Sequence, residues 1–253
     1  MAFVTVVLLF GILFTLTIGV IERNINMVFG VNGILAMSFI GTPIHELSHY
    51  IACKIFRHKV THVCLWSPRK FKQNGQLGYV QHAYNPKSVY QNAGNFIIGA
   101  APVLSAAGIS YLIMRFLFGM SFHVEDMESI DFESVIEYIK GIFLSLNANV
   151  NSEFFSNPLF WIGLVLFICI FLNVALSKAD FKNAYVGILF FIVLAPIFGL
   201  VLNMFGVGYP VYISIYLKFD IFITLAFAFG LIILVILLLI SLLLRIIKRR
   251  ARH

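Results

Sequence analysis

The reading of this chain turns on SFIGTPIHELSHYIACKIFRHKV, Ser38–Val60. Most of it is apolar enough to sit in a membrane, yet it carries His45, Glu46 and His49 together in the middle. Ionisable side chains in a span are costly and by default mark a function. A purely structural alternative is a polar knot, two imidazoles and a carboxylate bonding neighbouring helices.

The surroundings support a membrane setting. Of the 253 residues 60% are hydrophobic and 11% charged, against about a quarter charged in a soluble domain. Apolar runs predict six spans, at 3–21, 27–56, 93–119, 158–176, 184–205 and 219–244, each long enough for about 30 Å of hydrocarbon. The first lacks a basic leader and an A-x-A-like cleavage site, so it is read as a span and not as a signal peptide. The expected fold is an all-α polytopic membrane protein, one integral membrane domain over 1–253, with a short cytoplasmic β-hairpin.

Charge sets the expected orientation. Arg57–Lys72 and the tail Arg245–His253 are basic, and His123–Tyr138 is acidic. With six spans, both termini, the 57–92 segment and the SKADFKN link fall on one side, which the positive-inside bias makes cytoplasmic. The acidic loop, 120–157, falls outside, with an amphipathic helix expected at Phe132–Leu146. The pI near 9.4 therefore reads as topology and affinity for anionic lipid, with no nucleic-acid partner. Cys53, Cys64 and Cys169 form no framework and are expected as thiols. Within 57–92, KVTHVCLW and LGYVQHAY are β-type runs, and KQNGQ between them carries an Asn-Gly turn signal for a hairpin near the membrane surface.

His45 and His49 are four apart, so on a helix they lie one above the other, about 6 Å apart along the axis, and can share one ion. With Glu46 the next residue round, this is the H-E-x-x-H arrangement of zinc peptidases: two metal-ligating histidines, zinc as cofactor, and a catalytic glutamate as general base. Arg57 marks the end of the span, placing His49 and His45 about 12 and 18 Å along the helix from it. Gly41-Thr42-Pro43, just before the motif, predicts a break or kink.

A third ligand is needed. Cys53 extends the stripe but is about 12 Å from His45 along the helix, and reads as a packing residue. His58, His62 and His82 read as surface residues. Glu125, Glu128, Glu133, Glu137, Glu153 and Asp220 fall on the far side in the six-span topology. Elimination leaves Asp180 as the third metal ligand.

A histidine pair in one span with an aspartate two spans later resembles the site-2 protease family of intramembrane zinc metalloproteases. HELSHYIACKIF is similar to that family's H-E-x-G-H-x-x-x-A run, with Ser48 at the glycine position. NPKSVYQNAGNFIIGAAPVLSAAG resembles the segment leading into the next core span, where A-G-P-x-x-N is usual and Ala100-Ala101-Pro102 and Ser105 stand here. LNVALSKADFKN occupies the place of the N-x-x-P-x-x-x-L-D-G element, keeping Asn173 and Asp180 without its proline or glycine.

The resemblance covers about 35–205. It implies hydrolysis of peptide bonds in or beside a transmembrane segment of a membrane protein substrate, within the lipid bilayer. Asn92, Asn95 and Asn173 are further polar positions that either orient substrate or join helices. Lys178 and Lys182 flank Asp180 and must snorkel outward, which is easiest if 177–183 is irregular. Arg115 is expected to snorkel away from the site. The rival reading is a membrane metal-binding scaffold or transporter without hydrolase activity.

Overall fold

The computed structural model describes residues 2–118, 155–184 and 209–251, with isolated helical positions between them. Most of these residues are helical. Helix α1 is Ala2–Phe29, α2 Val31–Ser38 and α3 Gly41–Ile55. Strand β1 (Lys59–Cys64), helix α4 (Pro68–Asn74) and strand β2 (Tyr79–Ala83) follow. Helix α5 (Val89–Leu112) runs into a π-turn at Ile113–Leu117. Helix α6 (Pro158–Phe171), α7 (178–184) and α8 (Tyr209–Arg250) complete the described chain.

Among the described residues, three helical stretches are long and apolar enough to cross a membrane: Thr5–Phe29, Val89–Leu117 and Asp220–Arg250, with mean hydropathies of 2.2, 1.9 and 3.3. Their surfaces carry Leu9, Leu16, Phe116, Ile232 and Leu239 exposed, as lipid-facing helices require and soluble ones avoid. These correspond to three of the six expected spans. The 27–56 run is not one helix: Gly30, at φ 67°, ends α1, and the chain breaks again at Phe39–Ile40. This second break comes just before Gly41-Thr42-Pro43, so Pro43 falls in the first turn of α3, where its missing N–H has no helical partner to lose. The 158–176 run stops as a helix at Phe171. Its 14 residues cover about 21 Å, short of the hydrocarbon thickness. The 184–205 run, the acidic loop and the Phe132–Leu146 helix lie largely outside the described residues.

Phe14 of α1, Phe167 and Phe171 of α6 and Phe227 of α8 are fully buried and hold the bundle together. Phe14 meets Phe171 and Phe227 edge-on, at 5.5 and 5.6 Å between ring centres, a geometry worth about 1 kcal/mol per pair beyond burial.

Contacts along α1 and α8 advance together. Phe10 and Phe14 touch Phe227, Asn24 bonds Ser241 and Arg245, and the Val28 carbonyl accepts from Lys248. The two helices are therefore parallel, and the start of α1 and the end of α8 lie at opposite ends of the bundle. The expectation that both termini share one side came from counting six crossings, with α1 and the last span antiparallel; the described helices are parallel.

Strands β1 and β2 pair antiparallel, Lys59 opposite Ala83 and Cys64 opposite Tyr79, with a bulge between Val60 and His62. The Asn74-Gly75 signal does not make a hairpin turn. It closes α4, whose N-cap is Ser67 and whose C-cap is Gly75 at φ 76°, the left-handed conformation that glycine adopts at least cost. The hairpin packs on the helices. It folds back along α3, from His58, whose N–H bonds the Cys53 carbonyl, to Gly78, which lies against Glu46.

Candidate metal centre

His45 and His49 sit on one face of α3, as their spacing requires, with Nε2 atoms 3.2 Å apart. Each ring uses its other nitrogen on a backbone carbonyl: His45 Nδ1 on Asn173 O at 2.7 Å, His49 Nδ1 on Ile98 O at 2.8 Å. A carbonyl only accepts, so both Nδ1 atoms carry the proton and both Nε2 lone pairs face the same point. This is the outer-shell arrangement that orients metal-ligating histidines. Asn173 and Ile98 act here through main-chain atoms, which no side-chain motif can reveal.

Asp180 reaches the same point from α7. Its Oδ1 is 3.2 Å from His49 Nε2, and its Oδ2 is 3.9 Å from His45 Nε2. Ser177 and Asp180 form a capping box: Ser177 N–H donates to Asp180 Oδ2 at 2.7 Å, and Asp180 N–H donates to Ser177 Oγ at 3.2 Å. The box fixes the carboxylate and leaves Oδ1 turned to the histidines. The irregular segment is 172–177, earlier than the expected 177–183, and 178–184 is helical. Lys178 and Lys182 point outward while Asp180 is buried. Close approach of α5 to α7 requires Gly99, where a Cβ would lie 2.4 Å from Asp180 O and 2.5 Å from Ala184 N.

The donor set fits zinc. With bonds of about 2.0–2.1 Å in tetrahedral geometry, neighbouring ligand atoms stand about 3.3 Å apart, close to the two 3.2 Å separations here. Two imidazoles and a carboxylate form a catalytic-type set that leaves a fourth position open.

Glu46 is 8% exposed and lines a cavity of about 540 Å³ together with Thr42, His45, Asn173, Ser177 and Gly78. The cavity extends to Glu22, Arg23 and Asn26 near the end of α1. Gly78 closes over Glu46 so tightly that a Cβ there would fall 2.6 Å from the glutamate Cγ.

The other sequence candidates separate cleanly. The Asn173 side chain accepts from Thr42 and donates to Met37 O and Cys169 O, so it joins helices. Asn92 donates to Pro86 O and Ser88 O and secures the start of α5. Asn95 is 1% exposed, and neither amide atom has a hydrogen-bond partner among the described residues. Asp220 lies on α8, outside the cluster, and Arg115 is exposed in the π-turn. Glu125, Glu128 and Glu153 lie outside the described residues, and the positions of Glu133 and Glu137 are exposed. His62 is exposed as expected. His58 is not: it is 4% exposed, and His82 is half-buried against it. Comparison of the chain with protein-family models, with curated proteins and with solved structures gives no match.

Proposed function

We propose that the chain is an intramembrane zinc metalloprotease, hydrolysing peptide bonds in or next to transmembrane segments of protein substrates. One observation carries the reading. Three lone-pair donors from His45, His49 and Asp180 converge beside a glutamate that is not one of them, within an apolar helical bundle. Zinc held there would supply a Lewis acid and lower the pKa of water to about 7. Glu46 takes the proton of the attacking water and returns it to the leaving amine. His45 and His49 keep their tautomers through the Asn173 and Ile98 carbonyls, and Asp180 keeps its orientation through Ser177.

A helical substrate shields its carbonyls, so it must unwind locally to be cut. The cavity between α1, α2, α3 and the Gly75–Gly78 loop is the proposed place for the unwound stretch. The outer edges of the β1–β2 sheet are proposed to hold it by strand addition. In orientation, the basic end of α8 and the 71–78 loop near the end of α1 share the cytoplasmic side, with the start of α1 opposite.

The test compares membrane peptides in cells carrying wild type and Glu46→Gln. Accumulation of uncut transmembrane fragments in the variant supports hydrolysis. Identical peptide profiles favour the metal-binding scaffold.

A further inference from the structure

The structure brings together a second set of metal-binding side chains, separate from His45, His49 and Asp180. Cys53, His58 and His82 offer a thiol sulfur and two ring nitrogens, all within 4.8 Å of one another. We propose that they bind a soft late first-row ion, zinc(II) or copper(I), which fastens the β1–β2 hairpin to α3.

The local fold builds this set. Helix α3 ends with Arg57 at φ 56°, a left-handed residue that is not glycine. Arg57 N–H bonds Lys54 O and His58 N–H bonds Cys53 O, the paired bonds of a Schellman motif. That turn folds His58 back beside Cys53, the residue one helical turn beyond His49. The β1–β2 register places Ala83 opposite Lys59 and His82 opposite Val60, so His82 comes alongside His58, with Nδ1 atoms 3.0 Å apart.

The histidines are set up as ligands. His58 Nε2 lies 3.0 Å from Gln91 O, so that nitrogen carries the proton and Nδ1 is a lone pair. Tyr84 stacks on the His58 ring at 5.2 Å and fixes its plane. A tautomer change in His82 alone then gives two nitrogen lone pairs facing one point. Burial lowers the pKa of both imidazoles from the ordinary value, which favours the neutral ligand form. For His58 the Gln91 bond opposes this, and for His82 the neighbouring imidazoles add to it. Cys53 is fully buried and packs with Ala52, Ile98 and Ala101.

The chemistry selects the ion. One thiolate with two imidazoles suits zinc(II) or copper(I) and disfavours the hard ions magnesium and calcium. Binding releases the thiol proton and involves no redox step. The effect would be mechanical, since the same hairpin carries Gly78 against Glu46.

The inference does not depend on whether the first site hydrolyses anything, and its test separates the two. Purified full-length chain, freed of metal by chelation, is titrated with cobalt(II), and then in separate arms with zinc(II) and copper(I) as competitors. Of the two clusters among the described residues only this one contains sulfur, so a thiolate-to-cobalt charge-transfer band reports it alone. The band should appear in wild type and persist in Asp180→Ala. It should vanish in Cys53→Ala, with one metal equivalent per chain lost, and weaken at least about tenfold in apparent affinity in His82→Gln. The competitor that removes the band at the lower concentration identifies the ion. A wild type with no such band, or a band that survives Cys53→Ala, overturns the proposal. Should Cys53→Ala fail to fold, His82→Gln, at a half-buried strand position, decides: a band with unchanged affinity there also overturns it.

Discussion

His45 and Asn173 show how much of the centre rests on atoms the sequence does not spell. The Asn173 carbonyl fixes the His45 tautomer, while its side chain ties Thr42, Met37 and Cys169 together. Asn173→Ala keeps the carbonyl and removes the ties. It should lower stability by about 1–3 kcal/mol while zinc content stays at the wild-type level, measured by detergent melting and elemental analysis. His45→Ala and Asp180→Ala should each lose the zinc of the first site. Metal retained at the first site in Asp180→Ala would return the third ligand to Glu125, Glu128 or Asp220. His45, Glu46 and His49 were legible because their spacing and a helix settle their geometry. Asp180 was reached by elimination from a topology that the parallel α1 and α8 do not share. Its capping box supplies the reason the elimination lacked: Ser177-x-x-Asp180 is a helix-start signature that turns one carboxylate oxygen inward. Cys53, His58 and His82 were missed because their meeting depends on strand register and on a left-handed Arg57.

At the level of elements, the centre depends on how closely helices approach. Gly99 lets the first turn of α7 lie on α5. In Gly99→Val the added methyl groups must push α7 away, so zinc should be lost with all three ligands still present. Elemental analysis of protein that still runs as a folded monodisperse peak checks this, and full zinc content would mean that α7 does not need this contact. The apolar helices and the two strands were legible from composition and alternation. Their interruptions were harder to read. Gly30 and the Phe39–Ile40 break divide a run that hydropathy alone reads as continuous. Asn74-Gly75 carries the same letters for a hairpin turn and for a helix C-cap, and only the helix-forming Pro68–Asn74 before it decides between them.

Across the whole molecule, parallel α1 and α8 with a basic C-terminal end give a testable orientation. Single cysteines introduced in a background free of native cysteine, at Lys72 and after Arg245, should label from the cytoplasm, and one at Ala2 from outside. Labelling of Ala2 from the cytoplasm would mean that α1 does not cross fully. The apolar bundle, the buried centre and the cavity beside it combine into one claim, that Glu46 moves protons for peptide hydrolysis without holding the metal. The most direct measurement of that claim follows zinc content and cleavage of a transmembrane peptide in the same purified preparations of wild type and Glu46→Gln. The account predicts equal zinc, about one per first site, and turnover reduced by at least about 10²–10⁴-fold in the variant. Equal turnover in the two proteins, or zinc lost together with the glutamate, would contradict it.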